Sequence, residues 1–169
     1  MVGPHEQRGA DLALITGAIV DAGDARLVPG NVIKYGLDDM RQNAEPVRVC
    51  MQVFAPATAV TSGNGAIYFF VPPSLAGKNL TYVQTDVIAS GSTNTTNVQV
   101  SRNRSGSTVS MLSTVCSIDS AETSSLTAAT PAVIDLTKDD VAAGDKLRID
   151  LTQVSTTPPS GLYVTLEFS

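Results

Sequence analysis

Side chains able to do chemistry are sparse in this chain of 169 residues, which holds one histidine, two cysteines and 16 acids against 11 bases. To act as a base, His5 would need a fixed nucleophile and an orienting group within hydrogen-bond reach. No Gly-x-Ser-x-Gly elbow is present to meet it. Cys50 and Cys116 fall on separate expected strands with no Cys-x-x-Cys partner and no neighbouring histidine, so they offer no zinc site. As small apolar residues they are expected to be buried free thiols. The densest acidic cluster is Asp135, Asp139, Asp140 and Asp145. Its oxygens could surround a calcium ion if the loop folded back, but the glycine and closing glutamate of an EF-hand are missing. The plainer expectation is a polar connector, in which Asp139-Asp140 opens a turn and Gly144-Asp145 begins the next strand.

Other chemistries find as little support. Glycoside hydrolysis depends on the separation of two carboxylates, which linear spacing does not supply. Sugar-stacking sites favour broad aromatic faces, yet the chain has no Trp, four Tyr and four Phe. Tyr68, Phe69 and Phe70 sit inside an apolar run and are expected in the core. Arg102 and Arg104 flank Asn103 in an expected hairpin, which suits a rim contact and not a nucleic-acid groove. With a net charge of −5 and a pI of about 4.6, no basic face is available to neutralise phosphates. No apolar run approaches the roughly 20 residues that span a bilayer, and residues 10–20 are interrupted by Asp11 and Thr16 and read poorly as a signal peptide. Asn-x-Ser/Thr triplets at Asn79, Asn94 and Asn103 are what chance produces in a body so rich in Ser and Thr. The expectation is a non-enzymatic protein with no cofactor, no metal, no nucleic acid and no membrane among its partners.

The elements that position these residues divide into two parts near residue 46. Of 34 Ser+Thr residues only Thr16 precedes position 55, and residues 49–77 carry no charge at all. Beyond residue 46 the pattern is that of strands. Val47, Val49, Met51 and Val53 alternate with Arg48, Cys50, Gln52 and Phe54, the period of two that a half-buried strand requires. Residues 66–71 form a short apolar run stopped by Pro72-Pro73, as a buried strand would be. Residues 80–90, 98–102, 109–112, 115–119 and 132–136 are further candidates. The clearest two come last, with Leu147, Ile149 and Leu151 inward in one, and Leu162, Val164, Leu166 and Phe168 inward in the other. A turn-rich connector, residues 155–161, lies between them. Seven to nine short strands with frequent turns predict an all-β fold, an antiparallel β-sandwich that is jelly-roll-like and covers residues 47–169. The one expected helix is residues 37–45, with Asp38 as cap and Pro46 ending it.

The first 46 residues are an expected extended N-terminal arm. They carry seven acids, four bases and six glycines, and a segment this small buries too little surface to fold alone. Its apolar residues, Leu12, Leu14, Ile15, Ile19 and Val20 and then Leu27, Val28, Val32 and Ile33, are the ones expected to dock on a partner.

Three stretches carry a resemblance to a known class. They are residues 111–125 (MLSTVCSIDSAETSS), 131–151 (PAVIDLTKDDVAAGDKLRIDL) and 156–168 (TTPPSGLYVTLEF). From about residue 79 to 169 the chain resembles a β-rich module of tailed-bacteriophage virion structural proteins, of the capsid decoration or head-fibre type. The resemblance implies a protein of the virion capsid surface that binds the major capsid protein and self-associates, most simply as a homotrimer. Similar modules occur in tail and baseplate components. The alternative it leaves open is therefore a receptor- or glycan-binding module, with a host surface glycan held by loops 90–97 and 103–108.

Overall fold

A computed structural model of the chain describes residues 45–169. The docking residues named for the arm, His5, and all but the last residue of the expected helix lie outside the described residues. Residues Pro46–Ser169 form one compact unit. It contains ten strands: β1 (Val47–Gln52), β2 (Gly63–Phe70), β3 (Leu80–Ala89), β4 (Thr96–Arg104), β5 (Ser107–Ser110), β6 (Leu112–Thr114), β7 (Cys116–Ile118), β8 (Val133–Ile134), β9 (Lys146–Gln153) and β10 (Ser160–Phe168). Two single 3-10 turns, Pro73–Leu75 and Ser125–Thr127, are the only helical segments among the described residues. No described helix is long and apolar enough to cross a membrane.

All strand pairs are antiparallel, and they form two sheets that pack as a β-sandwich. One sheet has the order β1-β10-β3; the other runs β2-β9-β4-β5, with β7 also pairing with β4. From β1 to β4 each successive strand crosses to the opposite sheet. The chain then returns so that β9 lies between β2 and β4, and β10 between β1 and β3. This wrapping is jelly-roll-like. Residues 123–125 run along the free edge of β3, through Val87 N–H donating to Thr123 O and Thr85 N–H donating to Ser125 Oγ. A small two-stranded sheet, β6-β8, is set beside the sandwich.

Side-chain alternation builds the core. Val83 and Val87 from β3, with Leu162, Val164, Leu166 and Phe168 from β10, face Val98 and Val100 from β4 and Leu147, Ile149 and Leu151 from β9. Burying each such side chain is worth about 1.5–3 kcal/mol. The two most regular sequence patterns, β9 and β10, are thus not partners of each other. Each is a central strand of its own sheet, and residues 154–159 carry the chain from one sheet to the other. The expected run 109–112 is split at Met111, which is fully buried; its N–H donates to Val100 O and its carbonyl accepts from Asp135 N–H. At the β4–β5 hairpin Ser105 and Gly106 both have positive φ (51° and 86°), as a tight two-residue turn needs to match strand twist.

Two expectations are corrected here. The run at residues 66–71 was expected to be buried throughout, but β2 lies at a sheet edge with its outer face open. Ile67, Phe69 and Val71 pack in or against the core, while Tyr68 and Phe70 are 49% and 63% exposed. Period-two geometry allows no other outcome for neighbours in a one-sided sheet. Likewise Cys116 is buried but Cys50 is exposed, because Cys50 shares the outward parity of Arg48 and Gln52 on edge strand β1.

Truncating the β9 core should be costly and truncating a surface residue should not. Ile149→Ala is expected to lose about 3 kcal/mol of unfolding free energy, and Leu136→Ala, at a position 80% exposed, less than about 0.5 kcal/mol. Urea unfolding of both variants checks this.

Candidate functional site

Polar side chains gather in two places on the sandwich. The first closes one end. The inward face of β4 runs Thr96, Val98, Val100 and then Arg102 and Arg104, so both arginines turn in where the apolar core stops. Arg102 contacts both the Asp140 carboxylate and its backbone carbonyl. Arg104 donates from Nη1 to Asp140 Oδ2 at 2.8 Å and from Nη2 to Asp145 Oδ2 at 2.7 Å. Asp145 is only 3% exposed, and its carboxylate also accepts from Ala142 N–H at 2.8 Å. These bonds hold Asp140 below the usual carboxylate range, Arg102 foremost and Arg104 next. Arg104 does the same for Asp145 against the opposing effect of burial, and is itself raised above its ordinary value. Asp135 is pulled down to about 2 by Lys138 and by Thr137.

Of the four aspartates weighed for calcium, Asp135, Asp140 and Asp145 are tied down by lysine or arginine, and Asp139 accepts from Leu80 N–H through its backbone carbonyl. Among the described residues no group of three or more His, Cys, Asp or Glu is placed to hold a metal. Of the two arginines expected at a rim, Arg102 is largely buried, while Arg104 stays partly exposed at the end of the sandwich. Their parity with Val98 and Val100 was the available signal, since it points both inward.

The second gathering is the outer face of the five-stranded sheet. Asp150 points outward from β9 yet is 3% exposed. Its Oδ1 accepts from Gly65 N–H at 2.7 Å, and its Oδ2 accepts from Ser101 Oγ at 2.8 Å and Arg148 Nη2 at 2.9 Å. One carboxylate thus joins β2, β9 and β4. Pairing with it raises the Arg148 guanidinium above its ordinary value. Gly65 adopts φ +75°, and a Cβ there would come within 2.5 Å of the Tyr68 hydroxyl. The Tyr68 side chain is thus folded back over the Gly65 backbone. Register sets two rows across this face: Phe70–Lys146–Asn103–Thr108 and Tyr68–Arg148–Ser101–Ser110. Lys146 Nζ lies 5.9 Å from the centre of the Phe70 ring.

Elsewhere, a pocket of about 240 Å³ opens beside β3, lined by Tyr82, Val83, Cys116, Leu126, Pro131 and Ile134 among others. Its one reactive group, the Cys116 thiol, is buried and lies 3.4 Å from Thr85 Oγ1. Loop 90–97, named above for glycan contact, has much of its polar surface engaged internally. Ser92 and Thr157 exchange backbone hydrogen bonds, Thr93 N–H donates to Ser120 Oγ, and Asn94 Nδ2 donates to Thr156 Oγ1. Loop 103–108 is the tight β4–β5 hairpin.

No family model, curated protein or solved structure matches this chain.

The end cluster makes stability pH-dependent with a definite sign. Asp140 and Asp145 have lowered folded values, so their contribution is complete above the ordinary unfolded aspartate value of about 3.9 and is lost as pH falls through the lower folded values. Thermal melts should be nearly flat from about pH 7 to about pH 5 and fall below about pH 4. Asp145→Asn should cost about 1–3 kcal/mol at neutral pH, since it removes the buried carboxylate that pairs with Arg104 and leaves that arginine with Asp140 alone, and should flatten the acid limb.

Proposed function

We propose that this chain is a non-enzymatic virion structural protein of a tailed bacteriophage, which decorates and stabilises the capsid surface. In this reading residues 1–46 bind the major capsid protein lattice and the sandwich is displayed outward, with self-association into a trimer. The observation that carries the proposal is the resemblance over residues 79–169, a stretch that supplies β3 to β10 and hence most of both sheets. Two physical features support it. Such a protein must persist outside the cell, and here the acidic connector and the sandwich end are tied by ion pairs and hydrogen bonds. A net charge of −5 keeps copies apart in solution.

Lattice binding needs an interface of roughly 1,000 Å² or more. An extended arm covers such an area at the cost of its ordering entropy. Repetition around a local symmetry axis adds avidity without new contacts. The trimer itself follows by analogy with decoration proteins at capsid three-fold positions.

Mixing the full chain with heads assembled without it, then sedimenting them, is the test. Saturation at hundreds of copies per head is expected for a protein that binds a lattice, along with heads more resistant to heat. A chain lacking residues 1–46 should remain folded by circular dichroism and no longer sediment with heads. Full binding by the shortened chain would exclude the arm as the attachment segment, and saturation at a handful of sites would exclude lattice decoration.

A further inference from the structure

We infer that the outer face of the β2-β9-β4-β5 sheet is a binding platform for an acidic polysaccharide, read by Tyr68, Phe70 and Lys146. This site is independent of how the chain attaches to a particle.

Two aromatic side chains on the solvent side of a strand are an unusual use of apolar area, because large exposed rings cost hydration and add nothing to the core. Tyr68 and Phe70 occupy successive outward positions of β2 and are 49% and 63% exposed. Tyr68 is not a loose surface side chain. It is folded back over Gly65, whose missing Cβ and positive φ make the room for it. Gly65 is in turn held by its N–H bond to Asp150. A ring laid against backbone on one side and half exposed on the other is a pre-set flat surface. Placing it costs little conformational entropy on binding. The C–H face of a pyranose is the ligand surface that stacks on such a ring. Donors and acceptors for its hydroxyl groups stand two and three strands away in the same rows, at Asn103, Thr108 and Ser110. With strands about 4.8 Å apart, four strands give a platform about 14 Å across, room for a short run of sugar rings.

Charge decides the class of sugar. The protein carries a net charge of −5, yet this face carries the opposite sign. Its one carboxylate, Asp150, is buried and neutralised by Arg148. Lys146 is exposed, and among the described residues no carboxylate lies in ion-pair contact with it. It rests against the Phe70 ring, a weak cation–π contact at an exposed site that a sugar carboxylate would replace with a charge-assisted bond. Ring, cation and hydroxyl partners together fit a uronate- or sialate-containing chain better than a neutral one. An extended peptide would instead pair with the backbone at the open edge of β2, and would make no use of the rows that run across the face to Asn103, Thr108 and Ser110.

The test uses the full chain, isotope-labelled for amide NMR, titrated with oligogalacturonides, with oligosialic acid, and with oligogalacturonides whose carboxylates have been reduced to alcohols. The expected result is saturable shifts confined to Tyr68, Phe70, Lys146, Asn103 and their neighbours with at least one acidic probe, and binding about tenfold weaker to the reduced probe. Phe70→Ala should weaken the acidic probe by about tenfold or more, while Phe70→Tyr retains binding. Lys146→Gln should abolish the preference for acid over reduced sugar. All three substitutions are at two exposed positions, and unchanged spectral dispersion confirms that they fold. No shift on this face with either acidic probe overturns the inference. Equal binding of the reduced probe overturns the acidic assignment, and unchanged affinity in Phe70→Ala overturns the platform.

Discussion

Two carboxylates held almost out of water at β9 are the constraint from which much of the sandwich follows. Asp145 immediately precedes the strand and Asp150 lies within it, and each is 3% exposed. A buried charge with no partner costs several kcal/mol, so each position obliges its surroundings to supply one. Asp145 takes Arg104, which reaches it only because β4 pairs with β9 in a register that turns Arg102 and Arg104 inward beyond Val100. Asp150 takes Arg148, the Ser101 hydroxyl and the Gly65 N–H. The first set fixes where the 138–145 connector lies. The second fixes the approach of β2, whose register with β9 shifts between Gly63 and Ile67.

The same demand accounts for the heavy use of Ser and Thr. In sequence these residues suggest a solvated surface, but several of the most buried polar groups are Thr85, Thr96, Ser101 and Ser155. Thr96 Oγ1 and Ser155 Oγ are 3.0 Å apart, and Ser155 N–H donates to Thr96 Oγ1, joining the start of β4 to the connector after β9. A hydroxyl can donate and accept in the space of a small side chain. It therefore satisfies the backbone groups left over where strands cross between sheets without widening the core. The hydrogen bonding that ties the loops at this end is thus a consequence of composition.

Period-two alternation made the strands legible, and all nine expected runs correspond to strands. The inward residues of β9 and β10 could be named because apolar residues alternate with Lys146, Arg148, Asp150 and Thr152 in the first and with Tyr163, Thr165 and Glu167 in the second. Pairing was not legible. β9 and β10 are neighbours in sequence with the cleanest patterns, yet each became the centre of a different sheet, because both apolar faces are satisfied equally well across the core. The candidate site was missed for a related reason. Tyr68, Phe69 and Phe70 form a continuous apolar run only if both faces of the sheet are covered, and whether the outer face of β2 is covered depends on elements far away in sequence. Arg102 and Arg104 were misread in the opposite direction. Their charge suggests the surface, but parity with Val98 and Val100 turns both toward the core side, where Arg102 is largely buried and Arg104 partly exposed.

Stability and display are consequently separated in this fold. The end cluster and the Asp150 hub engage most of the charged side chains of the β2-β9-β4 region, which leaves Lys146 and the two rings as the features of that face not committed to the sandwich. A single shallow platform of this kind binds weakly, because it encloses little of its ligand. Its charge works only at short range as well, since at physiological ionic strength the field of one lysine is screened within about 8 Å, while the net negative charge of the whole chain opposes approach from farther away. Such a face becomes effective when many copies meet a long ligand together, because the second and later contacts are intramolecular and need no new affinity. The proposed lattice of displayed copies would supply that multiplicity. The proposed anchoring through residues 1–46 and the polysaccharide face on the sandwich are therefore complementary: the first would set the spacing and number of platforms, and the second would turn them into adhesion.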